Sequence, residues 1–306
     1  MTHYILPIVL GFSNVLLVLL LAPLFEGILR KLTARIQSRQ GPPLWQPYYD
    51  LLKLLGKEDI ESGESPVMQR FAAYLSLATV LAVALLVPMG SRSPMGSRAD
   101  VILLVYLLTL SGISTLLAGL AAGSTYSLVG MSREMMAMMT LEPLFAVAII
   151  VGAIHVGTLR LDPVLSGSPY GSGLPLAGLI MLGVLVFSLQ AFVGRVPFDT
   201  SEAETEIMEG PVMEYSGPKL ALFKYARMVK LVVYSGIFVA LFVPWGQALP
   251  YPVSLLVFLA KVLGVVLIVT LIAATHARYR IDQVIRYYAA LFGVSLIALA
   301  LAVKGF

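Results

Sequence analysis

The sequence contains no cysteine, and only 12% of its 306 residues are charged. The lack of cysteine excludes disulfides, thiolate-bound zinc, cysteine-ligated iron–sulfur clusters and thiol nucleophiles. Histidine is also scarce, and His3, His155 and His276 are too far apart in the sequence to show metal-ligand spacing. We therefore expect no metal, no cofactor and no catalytic residue in this chain, so that any redox centres belong to other chains.

Hydrophobic residues, by contrast, make up 58% of the chain, and the mean hydropathy is +0.89. Soluble domains do not carry repeated apolar segments of about twenty residues. The segments long enough to cross a bilayer are 5–25, 71–88, 101–122, 134–155, 175–193, 229–245, 253–275 and 286–303. The sequence therefore predicts an all-α integral membrane protein with about eight transmembrane helices in a single domain, 1–306.

The distribution of basic residues predicts the orientation of these spans. The net charge of +4 is modest and gives no support to nucleic-acid binding. Most of the lysines and arginines lie in the connections that follow the first, third, fifth and seventh spans. Because connections rich in Lys and Arg stay in the cytoplasm, we expect these odd-numbered loops to be cytoplasmic and both termini to lie outside.

The first connection, 26–70, is predicted to be a cytoplasmic and interfacial loop. From Trp45 to Lys57, leucines are interleaved with Asp50 and Lys53 in the pattern of an amphipathic helix that lies in the membrane interface. Anchoring on membrane lipid explains this pattern slightly better than a direct part in chemistry. Docking of a cytoplasmic partner is compatible with either interpretation.

The connection after the fifth span, 194–228, is unusually acidic. It holds six of the 17 acidic residues of the chain: Asp199, Glu202, Glu204, Glu206, Glu209 and Glu214. Ser201 and Glu204 have the spacing of a capping box, and Gly210-Pro211 is a stop signal, which predicts a short helix from about Glu202 to Glu209.

On such a helix, Glu202, Glu206 and Glu209 would share one face. Crowded carboxylates raise one another's proton affinity and can hold and pass protons. A solvated acidic loop is an equally good interpretation of the spacing alone.

Three further ionisable residues fall in or beside the predicted spans. Glu134 and Glu142 are eight positions apart, so they face roughly the same side of a helix, about 12 Å apart along its axis. A carboxylate at the depth of Glu142 normally faces a polar interior, and the adjacent Pro143 frees a backbone carbonyl for water. Lys261 either snorkels to the interface or pairs with a carboxylate inside the bundle, and its depth favours pairing.

Four motifs, in this order, resemble the heel (H/1) subunit of respiratory complex I and its relatives in energy-converting NiFe hydrogenases. They are Arg39-Gln40-Gly41-Pro42 followed by Gln46-Pro47 with Asp50 and Lys53; Arg133 with Glu142; the segment Arg195 to Gly217 with its Pro-Phe-Asp, Glu-x-Glu-x-Glu and Glu-Tyr-Ser-Gly parts; and Arg278-Tyr279-Arg280-Ile281-Asp282-Gln283. The resemblance covers nearly the whole chain.

Three departures from the complex I pattern resemble the hydrogenase branch. The complex I insertion that follows the first Gly-Pro is missing after Gly41-Pro42-Pro43. Glu209-Gly210-Pro211 stands where quinone-reducing enzymes usually have Ser-Gly-Phe-Asn. Glu134 and Glu142-Pro143 resemble the sequences of formate hydrogenlyase and carbon-monoxide-linked hydrogenases. The hydrogenase branch is therefore favoured.

The resemblance implies a membrane-anchoring and coupling subunit of a hydrogen-evolving NiFe hydrogenase complex in a prokaryotic cytoplasmic membrane. Its implied partners are a NiFe large subunit, an iron–sulfur small subunit, an antiporter-like membrane subunit and membrane lipid, with the NiFe centre and the iron–sulfur clusters held by the partners. The residues implied in a proton path or its coupling are Glu134, Glu142, Asp199, Glu202, Glu204, Glu206, Glu209, Glu214 and Lys261. Those implied in partner docking are Arg35, Arg39, Gln46, Asp50, Lys53, Arg133, Arg195, Arg278, Arg280 and Asp282.

Two alternatives remain. One is a quinone-site heel subunit of an NADH:quinone oxidoreductase, and the other is a purely structural anchor for a cytoplasmic enzyme. An autonomous ion transporter is less favoured, because the sequence shows no inverted repeat and no paired broken-helix pattern.

Overall fold

The computed structural model describes residues 2–60, 65–90, 93–166, 175–243, 245–246 and 249–305, with the side chains of residues 2–8 and Glu204 left outside the description. A 3-10 turn covers Gly210–Val212. The α-helices of the described residues are α1 (Thr2–Ile36), α2 (Gln46–Leu55), α3 (Pro66–Leu86), α4 (Val101–Ala122), α5 (Thr125–Val156), α6 (Leu161–Ser166), α7 (Leu176–Phe192), α8 (Glu204–Ile207), α9 (Gly217–Phe242), α10 (Val253–Thr275) and α11 (Ile281–Val303).

Within the described ranges, seven helices are long and apolar enough to cross a membrane, namely α1, α3, α4, α5, α9, α10 and α11. The eighth predicted span corresponds to α7, whose 17 residues are at the lower limit for a bilayer crossing. The prediction of an all-α integral membrane protein is confirmed, and the predicted count of eight spans depends on α7.

Helix α9 forms the centre of the bundle. It packs against α1, α3 and α10, and every residue from Leu231 to Phe242 is buried. Around it, α4 lies between α3 and α5, and α11 packs against both α5 and α7. Because α9 contributes both this apolar half and a charged half before Leu231, it carries basic side chains into the interior of the bundle.

Several helices begin or end well beyond the predicted spans, always at the same end of the bundle. Helix α1 continues to Ile36, α5 already starts at Thr125, and α9 already starts at Gly217. Hydropathy locates only the apolar part of a helix, whereas backbone hydrogen bonding continues through charged residues that have partners. We call this end of the bundle, which carries α2, residues 194–216 and the connection between α10 and α11, the polar end.

The predicted amphipathic helix is present as α2, and it lies against α1. It buries Pro47 and Leu51, while Tyr49, Leu52 and Leu55 are exposed on its other side. This division between a buried and an exposed apolar side is typical of a helix that lies in a membrane interface.

Two close contacts fix the position of α2. The hydroxyl of Tyr48 donates a hydrogen bond to the carbonyl of Leu20. Gly27 of α1 faces the backbone carbonyl of Leu44, so close that a Cβ would overlap the carbonyl oxygen. Only glycine therefore allows the chain that leads into α2 to approach α1 at this point.

We predict that Gly27→Ala destabilises the protein by about 1–3 kcal/mol, because the added methyl group forces two backbone segments apart. The measurement is the thermal midpoint of unfolding in detergent. Gly264→Ala in α10 is the matched control, because a Cβ there meets nothing within 4 Å. Equal stability of the two variants would show that the contact at Gly27 is not constraining.

Candidate functional site

A cavity of about 100 Å³ lies within the polar end, between α3, α4, α5, α7, α9, α11 and residues 194–216, which we call the acidic segment. A water occupies roughly 10–15 Å³ on this measure, so the cavity has room for several waters. Its charged lining residues are Glu134, Glu142, Asp199, Glu202, Arg227 and Lys230, and hydroxyl groups are supplied by Ser76, Ser111, Thr115, Thr200, Ser201, Tyr234 and Tyr288. We call it the acidic chamber.

Helix α5 brings two of the predicted glutamates to the acidic chamber. The hydroxyl of Ser124 caps this helix by accepting a hydrogen bond from the backbone N–H of Ser127. Glu134 and Glu142 both line the chamber, as expected from their spacing. Glu142 also lines a second cavity of about 10 Å³ beside Thr109 and Tyr234, which is enough for about one water.

The segment that follows α7 contributes Asp199 to the lining of the chamber, and we call the partly exposed side where Asp199 and Glu202 meet their arginines the mouth of the chamber. Buried Gln190 of α7 donates hydrogen bonds to the carbonyls of Val196 and Val269, at 2.7 and 2.9 Å. The ring of Phe198 packs against those of Tyr287 and Tyr288 in α11 and of Tyr279 just before it. These contacts fix the backbone on both sides of the predicted Pro-Phe-Asp motif.

Asp199 pairs with a guanidinium from the neighbouring connection. The Nη2 of Arg278 donates to its Oδ2 at 3.1 Å, while the Nη1 of Arg278 donates to the hydroxyl of Thr205 at 3.0 Å. Burial raises the pKa of Asp199 above its ordinary value, and the charge of Arg278 opposes this shift. Asp199 is therefore a carboxyl that holds its proton more tightly than a solvated aspartate.

The predicted helix from Glu202 to Glu209 is wrong in its bounds and in its cap. Helix α8 covers only Glu204–Ile207, and the residue before it is Ala203, whose side chain cannot accept a hydrogen bond. The short helix instead forms where Ala203 and Ile207 are both buried, and it ends because Met208 and Glu209 adopt left-handed conformations. Packing of two apolar side chains, rather than a polar cap, defines this element.

As a consequence, the glutamates of the acidic segment do not form one helical face. Each of three described glutamates has its own cation: Glu202 pairs with Arg227, Glu206 with Arg133 at 2.6 Å, and Glu209 with Lys224 at 3.7 Å. The like charges are therefore separated and compensated by cations from α5 and α9.

Of these glutamates, only Glu202 is among the described residues that line the acidic chamber. Burial raises its pKa, and the guanidinium of Arg227 opposes that shift. Glu206 lies on the surface with 48% of its side chain exposed, while Glu209 and Glu214 lie in the turns that lead into α9. The side chain of Glu204 lies outside the described residues.

The predicted docking residues fall into two groups. Arg133, Arg195, Arg278, Gln46 and Asp50 are engaged within this chain, because Asp50 accepts hydrogen bonds from both Gln46 and Arg30 and the three arginines pair with carboxylates. The exposed residues of the set are Arg35, Arg39, Lys53, Arg280 and Asp282.

A buried carboxylate that the sequence did not identify as a site residue is Glu26 in α1. It is 3% exposed, and it pairs with Arg195 and, at 3.2 Å, with Arg30. Arg30 in turn pairs with Asp50 at 2.9 Å, so a chain of charges connects α2 to the start of the acidic segment. The available signal was Glu26 four positions before Arg30 at the end of an apolar run, which is the spacing of a helical ion pair.

The prediction that Lys261 pairs with a carboxylate is wrong. Its ammonium group donates hydrogen bonds to the carbonyls of Val243, at 2.7 Å, and Trp245. These carbonyls follow the last residue of α9, at the end of the bundle opposite the polar end. Lys261 therefore satisfies the free carbonyls of a helix C-terminus, where a positive charge is favoured.

A bundle of membrane-spanning helices that encloses paired carboxylates and arginines at one end defines a multi-pass membrane subunit with a polar chamber. Residues 9–303 match the NADH dehydrogenase family, and the chain belongs to this family. Since the match extends over nearly the whole chain, the family resemblance of its motifs is confirmed.

The chain is similar to two subunits of hydrogenase systems from Escherichia coli (strain K12). It is 34% identical to hydrogenase-4 component C, with 96% of this chain and 94% of the relative covered. It is 31% identical to formate hydrogenlyase subunit 4, with 90% and 92% covered. It is also 30% identical to the H subunit of the NADH-quinone oxidoreductase of Anaplasma phagocytophilum (strain HZ), with 84% of each covered.

A solved structure has the same fold. It is a chain of the membrane-bound sulfane sulfur reductase, an archaeal respiratory membrane complex, which superimposes with a TM-score of 0.85 and 28% identity over 95% of this chain and 99% of that chain. This protein is therefore a membrane subunit of the kind found in respiratory and hydrogenase complexes.

We predict that Glu26→Gln lowers the free energy of unfolding by about 3 kcal/mol, because it leaves two guanidinium groups facing a neutral amide in a buried site. Glu206→Gln is the matched control. It removes a carboxylate from an exposed pair and should cost less than about 1 kcal/mol. Thermal unfolding of the two variants in detergent makes the comparison, and similar midpoints would contradict the assigned difference in burial.

The raised pKa of Asp199 predicts a dependence of stability on pH. A carboxyl whose pKa is raised by folding stabilises the folded state while it is protonated, and this contribution is lost as pH rises through the folded pKa. Asp199→Asn has no carboxyl to ionise and so does not lose stability in this way. The variant should therefore gain stability relative to the wild type as the pH rises from 3.8, the ordinary pKa of an aspartate, towards neutrality. If the variant instead loses stability relative to the wild type, the attraction to Arg278 lowers the pKa of Asp199 by more than burial raises it.

Proposed function

We propose that this chain is the membrane-anchoring and coupling subunit of a hydrogen-evolving NiFe hydrogenase complex, in which it links electron transfer in docked subunits to translocation of protons or sodium ions. The observation that carries the proposal is the acidic chamber, where Asp199 and Glu202 from the acidic segment meet Glu134 and Glu142 from a membrane-spanning helix. The similarity to two hydrogenase subunits over nearly the full chain supports the choice of complex.

The path begins at the mouth of the chamber. Asp199 and Glu202 both have raised pKa values that arginines oppose, so a change of charge in a docked partner can shift their protonation. Moving one charge through 100 mV requires about 2.3 kcal/mol, which corresponds to about a 50-fold change in proton affinity. A shift of that size is within the range that burial and nearby charges produce.

From the mouth, protons pass by way of water to Glu134 and then to Glu142. Glu142 is the last carboxylate of the path in this chain, and the second small cavity beside it extends towards Thr109 of α4. An antiporter-like membrane subunit next to α4 and α5 would receive the proton there.

The docked subunits contribute the NiFe centre and the iron–sulfur clusters, and they bind at the polar end, which faces the cytoplasm. The exposed cations of the docking set support this orientation, as does the exposed apolar side of α2, which lies in the lipid interface. The arginines already paired within the chain hold the acidic segment in place, so they reach partners only indirectly.

A quinone-linked function is the second candidate, and the similarity to a membrane subunit of an NADH-quinone oxidoreductase favours it. A quinone with a long tail needs an opening from the lipid between helices. Where α1 meets α2 and α9, Tyr48 and Tyr225 donate hydrogen bonds to the consecutive carbonyls of Leu20 and Leu19. These bonds tie α1 to α2 and to α9, so a quinone tail that entered here would have to break them, which supports the hydrogenase function instead.

The experiment is to purify the complex through this chain, reconstitute it in vesicles and measure hydrogen evolution from a reduced viologen together with ion uptake. We predict nickel in the preparation and ion uptake coupled to hydrogen evolution. Glu142→Gln should lower the number of ions moved per hydrogen by about tenfold or more. The amide cannot relay a proton, and a barrier to ion transfer that is higher by about 1.4 kcal/mol already slows the transfer tenfold.

Glu206→Gln is the control for this prediction, because Glu206 lies on the surface and outside the chamber lining. It should leave the ion-to-hydrogen ratio near that of the wild type. Normal ion uptake in Glu142→Gln would refute the path. Quinone reduction without nickel would refute the hydrogenase assignment and favour the second candidate.

A further inference from the structure

Two carboxylates of the acidic chamber are too far apart for direct proton transfer. Glu134 and Glu142 are eight residues apart in α5, about 12 Å along the axis. The residue halfway between them on the same side is Met138, which also lines the chamber. A thioether has no proton to donate and is a weak acceptor, so transfer between the two glutamates needs water that passes Met138.

The end of the Met138 side chain lies in a notch of α4 that exists only because residue 112 is glycine. A Cβ on Gly112 would lie 2.5 Å from the Cε and 2.6 Å from the Sδ of Met138. It would also lie 3.3 Å from the Oε1 of Glu142. The thioether thus occupies the space that any side chain larger than glycine would fill.

With Met138 in this notch, Glu134, Met138 and Glu142 all line one cavity, so the cavity extends along α5 past the thioether. The hydroxyls of Ser111 and Thr115 line the cavity on either side of Gly112 and offer water further partners. Methionine has three rotatable side-chain bonds and no branching, so it can leave the notch at small cost.

We propose that Met138 is the gate of the path between Glu134 and Glu142, and that the notch at Gly112 receives its thioether in the open state. When the side chain rotates out of the notch it enters the chamber and interrupts the water between the two glutamates. This inference rests on the proposed function, since it assigns a gate to the relay proposed there. It makes Met138 and Gly112 positioning residues, because neither exchanges a proton.

The test uses the purified complex in vesicles, with the ions moved per hydrogen as the measurement. Gly112→Ala fills the notch and forces the thioether into the chamber. It should lower the ion-to-hydrogen ratio by about tenfold. The added methyl group occupies the notch, which raises the free energy of the open state, in which the thioether of Met138 lies there. Viologen-driven hydrogen evolution in detergent should remain, since no carboxylate is changed.

The double variant Gly112→Ala with Met138→Ala separates gating from general damage. Shortening residue 138 removes the obstruction, so the double variant should recover an ion-to-hydrogen ratio within about twofold of Met138→Ala alone. Met138→Ala alone should keep an initial ion-to-hydrogen ratio near that of the wild type, measured before a gradient builds up, while a gradient once formed should decay faster in resting vesicles, because the path can no longer close. Gly293→Ala, where a Cβ meets nothing within 4 Å, controls for glycine replacement in a span.

The outcomes distinguish the gate from the function on which it rests. If Glu142→Gln abolishes coupling while Gly112→Ala does not, the gate is wrong and the proposed path stands. If Gly112→Ala lowers coupling and Met138→Ala does not restore it, the gate is also wrong, because the defect does not pass through Met138. Normal coupling in Glu142→Gln overturns the path and the gate together.

Discussion

A carboxylate inside an apolar bundle must either face a cation or keep its proton, and the polar end of this protein is built around that constraint. Glu26 is matched by Arg195 and Arg30, Asp199 by Arg278, and Glu202 by Arg227. The pairs of Glu26 with Arg195 and of Asp199 with Arg278 join elements that are distant in the sequence, and the pair of Glu202 with Arg227 joins the acidic segment to α9. The ion pairs therefore determine how the acidic segment lies on the bundle as well as compensating charge.

The central helix α9 connects this electrostatic arrangement to the packing of the fold. Its second half is fully buried and fixes its position among α1, α3 and α10. Its first half extends towards the polar end, so Arg227 and Lys230 reach the chamber from the most buried element of the protein. Because packing fixes the backbone of this helix, the positions from which these cations act on the chamber carboxylates are preorganised.

Much of this arrangement could be predicted from the sequence, and the failures have identifiable causes. The apolar runs and the interleaved leucines of α2 located the helices, because hydrophobic periodicity reflects burial directly. The spacing of Glu134 and Glu142 placed both on one side of α5, because in a regular helix the number of residues between two side chains fixes the angle and the distance between them. Both inferences depend only on local structure.

The acidic segment was less predictable because its geometry depends on contacts distant in sequence. The capping-box pattern at Ser201 was overridden by burial of Ala203 and Ile207, so Glu202 left the expected helical face and paired with Arg227. Lys261 was assigned to a carboxylate on depth alone, whereas the free carbonyls after α9 offered it partners that no pattern in the sequence displays. Glu26 was overlooked because its importance depends on Arg195, far away in the chain.

The position of the ion pairs also bears on the proposed proton path through the chamber. The described ion pairs of the chamber lie at its mouth, where Asp199 and Glu202 meet their arginines. Deeper in the bundle, hydroxyl groups, the ring of Tyr234 with Lys230 over it, and the thioether of Met138 surround Glu142. On the proposed path, a proton that enters this region leaves the paired arginines for a zone with one cation, Lys230, and weak dipoles, where small changes in side-chain position have large effects on its free energy. Control of the path is thus best placed beyond the mouth, at an uncharged side chain, which is where Met138 and the notch at Gly112 lie.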